Sequence, residues 1–170
     1  MNNAVQAQTG RRGAGRTCGF AGHLRVRPAA AAEAQHLAGL FPDAERAGWV
    51  TEALATGRAR ALVVERFEGL TRVPLGLTVA AADGETALAL YPGERCRGLA
   101  HEVLRAAIRA LREEPFAELS ASIGADDARA ARVFEKAGFT PAGSCRFLGR
   151  PSTRFIRNLR GDCTAYNVWI

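Results

Sequence analysis

The chain has 170 residues, of which 48% are hydrophobic, and a formal net charge of +6. This length suits one domain with a full hydrophobic core, and no apolar run approaches the ~20 residues that a membrane-spanning helix needs. The first 22 residues contain no continuous apolar segment, so we expect no secretory signal and a cytoplasmic protein. The cysteines are widely spaced, with neither a Cys-x-x-Cys pair nor a nearby histidine cluster. We therefore predict no metal site and no disulfide scaffold.

The basic charge, with a pI near 9.9, suits an anionic partner such as a nucleic acid, a membrane surface or a polyphosphate cofactor. The arginines are scattered through the chain rather than massed in one run. A solvated basic surface explains them better than nucleic-acid binding does, and we expect neither a nucleic acid nor a membrane as partner.

The first half of the chain predicts two helices followed by a run of strands. Residues 1–22 lack periodicity and predict a flexible basic arm before a domain at 23–160. The predicted elements are, in chain order, a strand at 24–27, helices at 30–41 and 42–57, strands at 59–67 and 73–81, and, after the hairpin signal Asp83-Gly84, a strand at 85–91.

The second half alternates helices and strands. A helix at 98–113 carries one apolar stripe at helical spacing, a strand covers 119–123, and a helix after the N-cap residue Asp127 ends at Gly138. Strands at 140–148 and 153–159 precede a tail at 161–170. The order predicts a mixed α/β fold with an antiparallel meander in the middle, not the strict alternation of a dinucleotide-binding fold.

The most informative segment is Leu90-Tyr91-Pro92-Gly93-Glu94-Arg95-Cys96-Arg97-Gly98-Leu99-Ala100. An apolar strand ends at a proline, enters a loop with glycine and two arginines, and passes into an amphipathic helix. Backbone N–H groups, a helix N-terminus and arginine charge then converge on one place, which predicts a phosphate or pyrophosphate site. Neither Gly-x-Gly-x-x-Gly near the first strand nor Gly-x-x-x-x-Gly-Lys-Ser/Thr occurs, so this is not a dinucleotide or P-loop site.

The loop and a distant helix together resemble the GCN5-related N-acetyltransferase (GNAT) family over roughly residues 23–148. Arg95-Cys96-Arg97-Gly98-Leu99-Ala100 is similar to its Arg/Gln-x-x-Gly-x-Gly/Ala pyrophosphate loop. Asp127-x-x-Ala130-x-Arg132-Val133-Phe134-Glu135-Lys136-Ala137-Gly138-Phe139 is similar to its second cofactor segment. The resemblance implies a central, mostly antiparallel, twisted sheet of six to seven strands flanked by about four helices.

The resemblance also implies acetyl-CoA binding and direct acyl transfer to an amine in a ternary complex, without a metal. The backbone N–H groups of Cys96, Arg97, Gly98, Leu99 and Ala100 would hold the pyrophosphate. Arg95 and Arg97 would supply charge, although one of the two can simply face solvent, and His101 would border the phosphate. The strand ending at Leu90 would pair with the pantetheine arm, and its N–H would polarise the thioester carbonyl.

Two residues depart from the family pattern. Asp127 stands where asparagine is usual, and a plain helix N-cap explains it as well as a cofactor contact does. Phe134 stands where many members have a tyrosine that protonates the leaving thiolate. A thiol with a pKa of about 8.5 leaves tolerably without that proton, so water can serve.

The candidate general base is Glu85, on the strand that leads to the loop, with Glu65 as the second choice. A solvent-facing residue after the Asp83-Gly84 turn is an equal interpretation of Glu85. Trp49 is a candidate for the acceptor site or for the core.

The leading hypothesis is an N-acetyltransferase that acts on a primary amine of a small molecule or peptide. Two alternatives are an aminoglycoside 6'-type acetyltransferase, which the spacing between the two cofactor segments also resembles, and an acyl-CoA-binding module without turnover. By analogy with the family, a homodimer would use residues 140–159.

Overall fold

The structure is a computed structural model, and it describes residues 24–30 and 33–160. The predicted arm at 1–22 and tail at 161–170 lie outside the described residues. The strands and α-helices follow in the order β1 (Leu24–Pro28), α1 (Ala34–Ala38), α2 (Ala44–Ala55), β2 (Arg60–Glu68), β3 (Thr71–Ala80), β4 (Thr86–Leu90), α3 (Ala100–Leu111), β5 (Glu118–Gly124), α4 (Ala128–Lys136), β6 (Thr140–Phe147) and β7 (Arg150–Asn158). A 3-10 turn at Pro92–Glu94 lies between β4 and α3.

The strands form two antiparallel sheets rather than one continuous sheet. One has the order β1-β2-β3-β4 and the other the order β5-β7-β6. They meet at one parallel bridge between Glu85 and Ser120, where the Ser120 N–H donates to the Gly84 carbonyl at 2.9 Å. This bridge is isolated, and β4 and β5 are not neighbouring strands in either sheet. The predicted mixed fold, with its antiparallel strands and four helices, is confirmed, and the sheet opens between β4 and β5.

Helices cover both faces of the first sheet, and this explains the apolar runs of its strands. Leu62 and Val64 of β2 pack in the cluster that α3 and α4 form with both sheets, whereas Val63 packs in the cluster under α1 and α2. Alternate residues of a strand point to opposite faces, so a strand covered on both faces is apolar at consecutive positions. The predicted stripe of α3 is buried from Val103 to Leu111. No helix in the described ranges is long and apolar enough to cross a membrane.

The element boundaries differ from prediction where the backbone leaves helical geometry. The helix predicted at 30–41 is the short α1, because the Gly39 N–H bonds to the His36 carbonyl at 3.1 Å and closes the last turn. The helix predicted from 98 begins at Ala100, since Gly98 has a φ of +72°, which no right-handed helix contains. Strand β7 begins at Arg150, three residues before its prediction.

Candidate active site

The opening between β4 and β5 presents unpaired main-chain groups of β4. The Tyr91 N–H donates to the Leu75 carbonyl at 3.0 Å, and the Ala81 N–H donates to the Glu85 carbonyl at 2.9 Å. The ladder between these two points has no register shift. Hydrogen-bonded and non-hydrogen-bonded pairs alternate in an antiparallel ladder, so the N–H groups of Leu88 and Leu90 point away from β3. They face the opening, which is where the sequence analysis expects the Leu90 N–H to act.

The opening is closed at one end, beside the bridge between Glu85 and Ser120, where side-chain hydrogen bonds join β5 to the first sheet. Glu85 is only 7% exposed. Its Oε2 accepts a hydrogen bond from Ser120 Oγ and its Oε1 accepts one from the Ser122 N–H, both at 2.7 Å. Arg46 of α2 donates from Nη2 to the Ser122 carbonyl at 2.9 Å. The interpretation of Glu85 as a solvent-facing turn residue is therefore wrong, because the docking of β5 buries its carboxylate.

A cavity of about 700 Å³ lies on the α3 and α4 side of the opening. Of the predicted cofactor residues it is lined by Leu90, Arg95, Cys96, Gly98, Leu99, Ala100, His101, Asp127 and Phe134. The backbone N–H groups of residues 96–102 donate no hydrogen bond to any other residue that the structure describes. Cys96 and Gly98 both have a positive φ, of 60° and 72°, which curls the loop ahead of the helix N-terminus. Such a row of free donors is able to bind an anion.

The cations of this cavity come mostly from α4. Its lining includes Arg129, Arg132 and Lys136, and Arg129 Nη1 lies 3.9 Å from the Cys96 sulfur of the loop. None of these three cations was predicted as a site residue from the sequence, although spacings of three and four residues place them on one helix face. Arg95 also lines the cavity, and its guanidinium donates to the carbonyls of Leu90 at 3.2 Å and Leu40 at 2.9 Å.

The Arg97 side chain lies outside this cavity and faces Glu94, an acidic residue of the 3-10 turn. Its Nη1 lies 3.5 Å from a carboxylate oxygen of Glu94, and its side chain is not part of the cavity lining. Glu94 is 7% exposed and accepts two hydrogen bonds from Arg66 of β2, at 2.6 and 3.2 Å. The pKa of Arg66 is raised, first because of this bond to Glu94. Glu94, which the sequence analysis missed, anchors the 3-10 turn to the sheet.

A second cavity of about 640 Å³ lies on the other side of the opening. It is bounded by the α1–α2 connection and the start of α2, by β4, by the end of β5, and by the β6–β7 hairpin. Both cavities are lined by Pro42, Leu88, Asp127, Ala130 and Phe134. The two cavities therefore meet beside the unpaired main chain of Leu88.

Two of the shared residues have visible structural roles. Asp127 Oδ1 accepts a hydrogen bond from the Ala130 N–H at 2.9 Å, so the predicted N-cap of α4 is present. Phe134 is 4% exposed and packs edge-to-face on Phe139, with ring centroids 5.1 Å apart. Its ring offers apolar surface to both cavities and no exchangeable proton.

A group of side-chain contacts, which we call the clasp, closes the second cavity on its outer side. The ring of Phe147 lies 5.7 Å from that of Trp49 at an angle of 74°, and the Arg46 guanidinium lies 5.0 Å from its centroid. Arg150 pairs with Asp43 at 3.3 Å and with Glu45 at 3.1 Å. The clasp joins α2 to the β6–β7 hairpin. Trp49 therefore supports Phe147 from behind and does not itself line the cavity.

The second candidate base, Glu65, lies away from both cavities. It is 6% exposed, and its Oε1 accepts a hydrogen bond from Arg27 Nε at 2.7 Å, whereas its Oε2 has no partner among the described residues. Within the same residues, no group of three histidine, cysteine or acidic side chains is arranged to hold a metal ion.

Comparisons with known proteins agree with this geometry. The family model described as an acetyltransferase (GNAT) domain matches residues 23–140. A search of curated protein sequences finds no match.

Solved structures of spermidine N-acetyltransferase from Vibrio cholerae have the same fold. A point mutant of that enzyme superposes with a TM-score of 0.63 at 14% identity, over 84% of this chain and 97% of that one. A complex of that enzyme with CoA and spermine superposes with a TM-score of 0.61 at 12% identity, over 81% of this chain and 96% of that one. A dodecameric structure superposes with a TM-score of 0.61 at 14% identity, over 84% of this chain and 97% of that one. Because the family model covers most of the chain, this protein belongs to the acetyltransferase (GNAT) domain family and is an acetyl-CoA-dependent acyltransferase.

Proposed function

We propose that the protein transfers the acetyl group of acetyl-CoA directly to a primary amine of a small molecule or peptide. The observation that carries this proposal is the meeting of two cavities beside Leu88 and Phe134. Direct transfer needs a donor and an acceptor to reach one point from two sides, and two cavities that share an opening provide that arrangement.

The first cavity fits the diphosphate of acetyl-CoA. The free N–H groups of residues 96–102 suit its oxygens, and Arg129, Arg132 and Lys136 add charge along the facing helix. When bound, acetyl-CoA supplies the thioester as acyl donor. The unpaired main-chain groups of Leu88 would bind an amide of the pantetheine arm as a neighbouring strand does. The Leu90 N–H would stabilise negative charge on the thioester oxygen.

Glu85 is the general base that the sequence predicts, and we propose a positioning role for it instead. Its carboxylate already accepts two hydrogen bonds, and it lines neither cavity. Through Ser122 it holds the closed end of the opening, on which the distance between the two cavities depends. The amine would then lose its proton to water, and the thiolate would leave without a protein acid, because Phe134 has no proton to give.

The proposal also includes how the protein assembles. β6 is the outer strand of its sheet, and its free edge supports a homodimer through residues 140–159, as the sequence analysis expects. The dodecameric relative shows only that another protein of this fold assembles.

The test compares acetyl-CoA binding in the wild type, Gly98→Glu and Gly57→Glu. Both glycines have a positive φ, of 72° and 66°, and a Cβ at either would meet no atom within 4 Å. The two variants therefore carry the same charge and similar backbone strain, but only Gly98 lines the first cavity. Acetyl-CoA at 100 times its Kd should stabilise the wild type and Gly57→Glu by about 2.7 kcal/mol. Gly98→Glu should lose this stabilisation.

Transfer is then measured as release of free thiol from acetyl-CoA in the presence of amines. Binding with thiol release supports the acetyltransferase. Binding without thiol release in the presence of any amine would contradict acetyl transfer to an amine and would overturn the proposal. Equal stabilisation of all three proteins would show that the nucleotide binds elsewhere and would overturn the proposal.

A further inference from the structure

Arg46 is a cation of the second cavity without a carboxylate partner. It lies in the first turns of α2, is half-buried, and lines the cavity. Its guanidinium donates to the Ser122 carbonyl at 2.9 Å and lies over the Phe147 ring at 5.0 Å. Within the described ranges, no carboxylate oxygen lies within 4.0 Å of a nitrogen of the Arg46 guanidinium.

The acids near Arg46 are bound to other groups. Asp43 pairs with Arg150, Glu85 accepts bonds from Ser120 and Ser122, and Asp127 caps α4. The pKa of Arg46 is lowered, first because of burial, which outweighs the stabilising charges of these three acids; the positive charge of Arg150 lowers it further. A partly desolvated cation in such surroundings gains from a new anion.

The guanidinium also has unused donors. It carries five N–H groups in a planar fork, and a single hydrogen bond is present among the described residues. The Phe147 ring on one face holds the plane in place, so its free edge is preorganised. A planar fork binds a carboxylate or phosphate through two parallel bonds, which an ammonium ion cannot accept.

We propose that Arg46 binds an anionic group of the acceptor, so that the acceptor is an amine that also carries a carboxylate or a phosphate. This inference rests on the proposed function, because it assigns the second cavity to the acceptor. Asp126 lines the same cavity, is exposed, and makes no hydrogen bond or ion pair through its side chain with other described residues. It offers a place for the ammonium form of the same molecule as it enters. A polyamine would bring positive charge against both Arg46 and Arg150.

The experiment uses amine pairs that differ in one anionic group. Ornithine with putrescine and lysine with cadaverine test the carboxylate, and phosphoethanolamine with ethanolamine tests the phosphate. Free-thiol release gives kcat/KM for each. The wild type should prefer the anionic member of at least one pair by about 10- to 100-fold, the range for a hydrogen bond to a charged group.

Three variants identify the residue responsible. Arg46→Gln should abolish the preference, mainly by raising KM for the anionic member, and Arg46→Lys should keep part of it. Arg72→Gln is the matched control, because Arg72 also lies over a phenylalanine ring, at 5.8 Å from Phe67, on the distant β2–β3 hairpin. It should keep the preference unchanged.

A purely structural role for Arg46 gives a different result. Arg46→Gln would then lower kcat/KM equally for both members of every pair. That result, or a wild type that prefers the anionic member of none of the three pairs, would overturn the inference.

Binding separates this inference from the proposed function. With CoA present, the anionic amines should raise the Tm of the wild type but not that of Arg46→Gln, whereas acetyl-CoA alone should raise both. Absence of any shift with all the anionic amines would also overturn the inference. Absence of a shift with acetyl-CoA itself would instead contradict the proposed function.

Discussion

Replacing Phe147 by alanine removes the centre of the clasp over the second cavity. The ring contacts Trp49 edge-to-face at 5.7 Å and supports the Arg46 guanidinium at 5.0 Å. In the remaining clasp, only the ion pairs of Arg150 with Asp43 and Glu45 still join α2 to the hairpin. The Arg150 side chain is 62% exposed, so these pairs contribute little.

The expected loss follows from the two contacts. An edge-to-face aromatic pair contributes about 0.5–1.5 kcal/mol beyond its buried area, and a partly desolvated cation–π contact contributes about 1 kcal/mol. Phe147→Ala should therefore lower the free energy of unfolding by about 2 kcal/mol. For a domain of this size the Tm should fall by about 4–8 °C.

The assay is thermal unfolding, together with KM values for acetyl-CoA and for the preferred amine. Phe67→Ala is the matched control, because Phe67 has a single cation–π contact with Arg72, is 42% exposed and has no aromatic partner among the described residues. It should lower the Tm by about 1–4 °C. Phe147→Ala should also raise KM for the amine and leave KM for acetyl-CoA unchanged, because the clasp borders only the second cavity.

Two results would refute this reasoning. If Phe147→Ala lowers the Tm no more than Phe67→Ala does, the clasp does not hold α2 to the hairpin. If KM for both substrates rises equally, the second cavity is not a separate acceptor site.

Three further predictions concern other parts of the fold. Glu85→Gln can keep both hydrogen bonds, because the Ser120 hydroxyl can turn to donate or accept, so kcat and its pH profile should hardly change; a loss of about 100-fold or more would identify Glu85 as the base. A Cβ at Gly76 would lie 2.7 Å from the Ala89 carbonyl oxygen, so Gly76→Ala should destabilise the protein by about 1–3 kcal/mol in urea unfolding. Gly48→Ala, whose Cβ would meet no atom within 4 Å, should not destabilise the protein. An equal loss of stability in both variants would show that the close approach to Ala89 is not the cause. The Arg27 guanidinium lowers the pKa of Glu33 from 4.5 to about 2, so stability from this pair should be present above pH 4.5 and be lost as the pH falls toward 2. Glu33→Gln should remove this loss of stability at low pH, which is about 1 kcal/mol after solvent screening. If the stability of the variant falls with pH as that of the wild type does, the pair contributes nothing.

Features that depend on neighbours in the chain were predictable from the sequence. The apolar stripe of α3, the Asp127 cap of α4 and the end of that helix at Gly138, which has a φ of +89°, are all present. The free N–H groups ahead of α3 also follow from a loop that runs directly into a helix. Each of these depends on residues within about one or two helical turns, and periodicity and turn chemistry report on that range.

The tertiary structure alone decided which side chains meet across the opening. Arg46 contacts Ser122 across 76 positions of the chain, and Arg66 contacts Glu94 across 28. The sequence suggested an exposed Glu85 as readily as a catalytic one, yet the docking of β5 buried its carboxylate. The sequence predicted that Arg95 and Arg97 supply charge at the pyrophosphate, with one of the two free to face solvent. The structure places Arg97 beside the Glu94 carboxylate and outside the cavity, which Arg95 lines together with three cations of α4. These partners are brought together by the packing of separate elements, and no local pattern encodes which distant residue will lie opposite.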